Sequence, residues 1–179
     1  MKEAFEKRKT PRLSGFDYNT KGAYFITVCT MERRCLLSKI TVGTGVLDCP
    51  QDKTYHSTLF EKGKIAERVL RQMDAFYENI SVDAFVIMPN HIHILLFVRE
   101  GGGQSGTPVP TTREERANST YSRFVSTFKR FCNKEYGENI WQSRSYDHII
   151  RDREDYDEHI RYIYENPMRG YFDELYSEN

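Results

Sequence analysis

Apolar positions along the chain change their period several times, and each change marks an element. Residues 22–30, GAYFITVCT, are dense in β-branched and aromatic side chains and predict a strand. Between 40 and 62 no clean period holds, so a loop with room for a short hairpin is expected. Over 64–77 the residues Ile65, Val69, Met73 and Phe76, flanked by Ala66, Leu70 and Tyr77, fall on one side of a helix. VDAFVIM and HIHILLFV then flank Pro89-Asn90, a turn dipeptide. They predict a tight hairpin whose strands are apolar on both faces, as in a sheet interior.

Downstream, the Gly/Pro/Thr-rich residues 101–112 predict a mobile loop and not a domain boundary. Tyr121, Phe124, Val125, Phe128, Phe131 and Cys132 recur at helical spacing, and their rings are assigned to core. Residues 145–151, SYDHIIR, predict a last strand. A final helix is expected over 152–166, with Asp152 as its N-cap and Pro167 just past its end. Strand, helix, strand, strand, helix, strand, helix is the ferredoxin-like split β-α-β plan. The expected fold class is therefore α+β: an antiparallel sheet with helices on one face, plus a C-terminal helix. The third strand is central in that plan, which suits its unbroken apolarity. A chain of 179 residues fits one well-buried core better than two. A single domain over 1–179 is expected, with 1–14 a flexible basic arm and 99–116 a mobile loop.

Two histidines interrupt the most apolar stretch. Residues two apart on a strand share a face, so His91 and His93 project together while Ile92 and Ile94 point away. Such a pair is either neutral and hydrogen-bonded or holds a metal, and the spacing alone leaves both open. Near the other end, Tyr162 and Asn166 lie four apart on one helical face, with His159 a turn earlier. Tyr156, Ile160 and Ile163 form the adjoining stripe that would dock this helix. Tyr164 stands about 200° around the helix from Asn166 and faces elsewhere. A tyrosine here serves packing as readily as chemistry, and Asn166 before Pro167 also suits helix termination.

Taken together, the His-hydrophobic-His strand and the Tyr-x-x-x-Asn helix resemble the single-tyrosine transposases of the HUH nuclease superfamily. The stretch IWQSRSYDHIIRDREDYDEHIRYIYENPMRGY is more similar to the REP-associated tyrosine transposase branch than to the insertion-sequence branch. Insertion-sequence members commonly carry Gln where this chain has Asn166. The resemblance covers residues 15–171; residues 41–58 and the glycine-rich loop are atypical of it. It implies a metal-dependent endonuclease and strand transferase acting on single-stranded or hairpin DNA such as REP-like palindromes. It further implies that His91, His93 and Asn166 hold a divalent cation, Mg²⁺ or Mn²⁺. Tyr162 would be the nucleophile, leaving a 5′-phosphotyrosine and a free 3′-OH. A phenol, with a pKa of about 10, also departs readily, so the cut would be reversible without ATP. His159, His148 and hydroxide are candidate bases.

Charge bears on where DNA would lie. Lys and Arg total 26 and Asp and Glu 26, whereas a nucleic-acid protein is often basic, so the required charge must be segregated locally. No acidic residue occurs from Ala117 to Lys134, and Arg123, Thr127, Arg130 and Lys134 share one helical face. With Lys129 they are candidates for phosphate contacts, a solvated face being the ordinary alternative. Arg12, in the basic stretch EKRKTPRLSGFDY, is a further candidate, with Phe16 and Tyr18 for stacking on bases. The four cysteines form no Cys-x-x-Cys pair, so neither a zinc knuckle nor a disulfide framework is suggested. No apolar run reaches the roughly 20 residues of a membrane span, and the charged start does not read as a secretory signal. A cytoplasmic monomer or homodimer is expected. Two competing classes are a non-catalytic nucleic-acid-binding module on the same fold and a two-histidine-one-carboxylate oxygenase. The first would display aromatics where this strand has histidines. The second would place an acid such as Asp147 at the metal in place of Asn166.

Overall fold

The computed structural model describes residues 20–44, 53–99 and 119–171. In chain order these form β1 (Gly22–Cys29), β2 (Ser38–Thr44), β3 (Lys53–Leu59), α1 (Glu61–Gln72) and β4 (Ile80–Ile87). They continue with β5 (His91–Val98), α2 (Thr120–Tyr136), β6 (Tyr146–Ile149) and α3 (Arg153–Tyr171). One antiparallel sheet has the strand order β4-β5-β1-β6, the ferredoxin-like arrangement. β5 and β1 are its interior strands. β4 lies at an edge and is only partly buried, so its two-sided apolarity marks contact with helices and not a central position.

Alternation along the strands sends side chains to two different layers. Ile26, Val28, Ile92, Ile94 and Leu96 meet Leu70 of α1 and Phe124 and Phe128 of α2 in the main core. Full burial of each such side chain contributes about 1.5–3 kcal/mol. On the other face Phe25 and Leu95 pack against Ile163, with Tyr156, Ile160 and Tyr162 at the margin. The C-terminal helix therefore docks on the face that carries the odd-numbered residues of β5.

The β4–β5 turn is held from two sides. Thr30 N–H donates to the Asn90 carbonyl at 3.0 Å, and the Thr30 hydroxyl is shared between that carbonyl (3.0 Å) and the Arg34 carbonyl (2.8 Å). Leu37 N–H donates to the Pro89 carbonyl at 3.0 Å. Leu37 itself is fully buried, and its carbonyl lies against Gly63 in the first turn of α1, where any Cβ would overlap that oxygen.

Three boundaries differ from expectation. β2 and β3 form a regular two-stranded sheet. Exposure in β3 alternates residue by residue, but Tyr55, Ser57 and Leu59 on the half-buried side are chemically mixed, so no hydrophobic period emerges. α1 begins at Glu61 and ends at Gln72, with a 3₁₀ turn Met73–Ala75 completing the expected stretch. Asp152 caps α3, accepting from Asp155 N–H at 2.9 Å. Yet α3 runs through Pro167 to Tyr171. Proline in a helix removes a hydrogen bond and costs about 3 kcal/mol. Here burial of Pro167 and Gly170, and the contact of Tyr171 with Tyr55 of β3 (ring centroids 5.0 Å apart), carry the helix onward. The expected arm (1–14) lies outside the described residues, as does the expected loop (99–116) apart from Arg99.

Candidate active site

β1 and β5 fix the histidines. In register, Thr27 stands opposite His93 and Cys29 opposite His91. Thr27 Oγ1 lies 2.9 Å from His93 Nδ1, and Asn90 Oδ1 lies 2.7 Å from His91 Nδ1. Asn90 Oδ1 accepts from His91 Nδ1–H and so leaves His91 Nε2 a lone pair, while the Thr27 hydroxyl can donate to or accept from His93 Nδ1; such partners fix ring orientation at metal sites. The two Nε2 atoms are 3.0 Å apart. Without a cation, His93 Nε2–H donates to His91 Nε2 across this distance; a cation between the rings would take both Nε2 lone pairs, with Thr27 Oγ1 then accepting from His93 Nδ1–H. An edge of about 3.0 Å is also what two neighbouring ligands subtend around an octahedral ion with bonds of about 2.1 Å.

Both rings are buried, at 8% and 7% exposure. Burial, followed by the nearby Arg33 guanidinium, pushes His91 down to about 4. Burial, followed by His91, His159 and Arg33, pushes His93 down to about 3. At neutral pH both are therefore uncharged, the form that ligates metals.

α3 supplies the opposite wall. Tyr162, Asn166, Arg169 and Gly170 fall on one helical face and line a cavity of about 380 Å³ with His91, His93, Asn90, Thr27 and a second tyrosine, Tyr146 of β6, which stands opposite Thr27. Tyr162 presents its ring edge-on to His93, with centroids 5.3 Å apart, and the Arg169 guanidinium lies 5.5 Å from the Tyr162 ring centroid. Asn166 is 4% exposed, and among the described residues nothing hydrogen-bonds its side chain. Its amide opens onto the cavity, where a ligand can bond to it. Arg33 reaches the same cavity from a 3₁₀ turn in which Glu32 and Arg33 hold φ of 55° and 54°. Left-handed backbone at two successive non-glycine residues is strained, and such strain concentrates at ligand-binding segments.

The donor set, two imidazoles and one amide oxygen, suits a divalent cation that retains water or phosphate at its other positions. Among the described residues lining the cavity there is no carboxylate. Asp147 pairs with Ile26 and so belongs to the other face. The acid that an oxygenase site requires is thus not beside the histidine pair; the amide is.

No protein-family model matches the chain. An uncharacterized Haemophilus influenzae protein is 27% identical over 179 residues, covering 94% of this chain and 93% of that one. The REP-associated tyrosine transposase of Escherichia coli is 30% identical over 88 residues, 49% of this chain and 44% of the relative. A second Haemophilus influenzae protein named for the same family is 33% identical over 93 residues, 49% of this chain and 50% of the relative. The chain is a homologue of the REP-associated tyrosine transposases. These matches span about half the length of the two relatives that carry the name. The solved structure of a REP-associated tyrosine transposase bound to a REP hairpin shares the fold, with a TM-score of 0.54 at 21% identity, covering 93% of this chain and 74% of that one.

In this transposase homologue, His91, His93, Tyr162 and Asn166 meet within one chain. Tyr164 is 75% exposed and lines a different cavity, away from the histidines. His148 and His159, the candidate bases, do not line the histidine cavity; both engage Asp155. Arg123, Lys129, Arg130 and Lys134 lie on α2, which packs on the opposite face of the sheet. Lys129 Nζ donates to the carbonyls of Gln142 and Arg144 at 2.8 and 3.3 Å, so it braces the approach to β6. Arg12, Phe16 and Tyr18 lie outside the described residues. Thr27, Asn90, Arg33 and Arg169 went unnoticed in the sequence. Only the β1–β5 register brings Thr27 to His93, and Asn90 looked like turn chemistry alone.

Proposed function

We propose that this chain is a metal-dependent, HUH-type tyrosine nuclease and strand transferase acting on single-stranded, hairpin-forming DNA. One observation supports this: two buried, neutral imidazoles with Nε2 atoms 3.0 Å apart share a cavity with Tyr162, which packs against His93, with Tyr146 and with the side chain of Asn166. His91, His93 and Asn166 would hold Mg²⁺ or Mn²⁺. When bound, that cation supplies charge stabilisation at the phosphate and at the departing oxygen.

Tyr162 acts as the nucleophile. Its phenolic oxygen bonds to phosphorus as the bond to the 3′-oxygen breaks, leaving a 5′-phosphotyrosine and, after protonation, a free 3′-OH. The phenolic proton passes to solvent hydroxide, since neither His148 nor His159 lines the cavity. The low basicity of a phenolate relative to an alkoxide makes the tyrosine a good leaving group in the return step, so a strand can be rejoined. Arg33 and Arg169 place positive charge at the cavity to meet phosphate. Arg123, Arg130 and Lys134, on the far layer, offer further contacts to DNA that wraps past the sheet edge. The hairpin substrate is taken from the relative whose solved structure holds a REP hairpin.

The test is covalent capture. Full-length protein is incubated with single-stranded hairpin DNA and Mn²⁺, then resolved on a denaturing gel with mass spectrometry of the adduct. A DNA-linked peptide containing Tyr162 is expected, and Tyr162→Phe abolishes the adduct while retaining DNA binding. An adduct that persists in the variant relocates the nucleophile. Binding with no adduct in either protein returns the chain to the class of non-catalytic binding modules.

A further inference from the structure

The sheet face that carries the histidine pair carries a second cluster that the proposed cleavage does not use. His148 on β6 stands opposite Phe25 in register, one row along from Thr27 and His93. Asp155 and His159 lie one turn apart on α3. The carboxylate oxygens of Asp155 are both 3.0 Å from His148 Nε2, and Oδ1 is 3.0 Å from His159 Nδ1. The three donor atoms all lie within 4.8 Å of one another.

The cluster is preorganised. Arg151 N–H donates to Asp155 Oδ2 at 3.0 Å, fixing the carboxylate. The two imidazoles stack at 4.7 Å with their planes 16° apart, and Phe25 braces His159 at 4.6 Å. Ligand atoms at the corners of a tetrahedral zinc site with bonds of about 2.0–2.2 Å are separated by roughly 3.3 Å. The two carboxylate-to-imidazole edges of 3.0 Å need only a small opening, and the imidazole-to-imidazole edge lies within 4.8 Å. His159 Nδ1 also lies 2.8 Å from the main-chain carbonyl of Asp155, a hydrogen bond that metal binding would replace.

We propose that His148, Asp155 and His159 form a second metal site, for a zinc-class ion, that ties the edge strand β6 to the helix bearing Tyr162. Two imidazoles and one carboxylate favour Zn²⁺, Co²⁺ or Ni²⁺ over Mg²⁺, which prefers oxygen ligands and retained water. Phe25 separates this site from the first, touching His93 at 4.9 Å on one side and His159 on the other, so the two share a wall but no ligand. Three protein ligands leave a coordination position to water. The short strand β6 would gain a second anchor beyond its pairing with β1, and α3 would be held three residues before Tyr162.

Metal content tests this without any assay of cleavage. Untagged full-length protein is stripped with chelator, titrated with Zn²⁺ in excess Mg²⁺, and counted by mass spectrometry of the metal, with Co²⁺ absorption reporting coordination. His148 is well exposed, so His148→Ala should fold normally. This variant is expected to lose one zinc equivalent, or at least tenfold in affinity for it. A His91→Ala, His93→Ala double variant is expected to keep that equivalent and its Co²⁺ spectrum. Zinc should also raise the melting temperature of the double variant and not that of the same variant with His148→Ala added. Unchanged stoichiometry and affinity in His148→Ala, or no zinc bound by the His91, His93 double variant, would overturn the proposal. Because the double variant lacks the first pocket, failure of the proposed nuclease and failure of this site give different results.

Discussion

Acidifying metal-free protein from about pH 7.5 to about pH 5 protonates His91 and His93 in the unfolded chain, where an ordinary histidine pKa of about 6.5 applies. In the folded chain burial holds the two at about 4 and about 3, so both stay neutral over this window. The sign follows directly: the unfolded state binds more protons, so the stability conferred by neutral imidazoles is complete above about pH 6.5 and is lost as pH falls toward 4. At about pH 5 each histidine lies about 1.5 units below its unfolded pKa, which amounts to about 2 kcal/mol each and about 4 kcal/mol for the pair. The 3.0 Å separation of the Nε2 atoms opposes a second proton further, so the pair titrates as a unit in the folded state. Against a typical total of about 5–15 kcal/mol this is a large fraction. Urea unfolding at a series of pH values, on wild type and on a His91→Gln, His93→Gln variant, measures it. The wild type should lose about 4 kcal/mol more than the variant between the two pH values. Parallel loss in both proteins would mean that the histidines are not buried neutral, and the structural basis for metal ligation would fail with that.

Removing the hydroxyl that orients His93, as Thr27→Val, should weaken Mn²⁺ binding about 10–100-fold with little change in fold, read by calorimetric titration; unchanged affinity would remove Thr27 from the site. Replacing Arg123, Arg130 and Lys134 together with alanine should flatten the salt dependence of hairpin binding by about 2 in log–log slope, if each contacts one phosphate of a single strand. A slope identical to wild type in fluorescence anisotropy would assign them to a solvated face. Gly63→Ala, forced against the Leu37 carbonyl, should lower unfolding free energy by about 3 kcal/mol in urea titration; a loss under about 0.5 kcal/mol would show that α1 shifts freely.

What could be read from the chain alone were features with a strong local period. The parity of His91 and His93 follows from strand geometry, and the four-residue spacing of Tyr162 and Asn166 from helix geometry, so both pairs kept their faces. The Pro89-Asn90 turn left only one compact way to pair its flanks. What escaped depends on partners distant in sequence. Thr27 meets His93 across 66 positions, through a register that no local pattern encodes. β2 and β3 pair through a run of Thr and Ser whose alternation is one of exposure and not of hydropathy. Pro167 is a stop signal by propensity, overridden by contacts its own segment does not contain.

The neutral composition argues less against an anionic ligand than it first does, because charge around the cavity is sorted. Arg33 and Arg169 line it, its histidines are uncharged, and no carboxylate is present among the described lining residues. The nearby acids are turned to other work: Glu165 pairs with Arg169 at 2.8 Å, and Asp155 is held by His148, His159 and the Arg151 amide. A phosphate entering the cavity therefore meets the Arg33 guanidinium and an Arg169 guanidinium whose charge Glu165 partly offsets, and a divalent cation between the imidazoles would reinforce the same sign. Coulomb attraction across a few ångströms at low effective dielectric outweighs a global balance that is screened within about 8–10 Å. It is this local field, and not the net charge of the chain, that a phosphate at the cavity would meet.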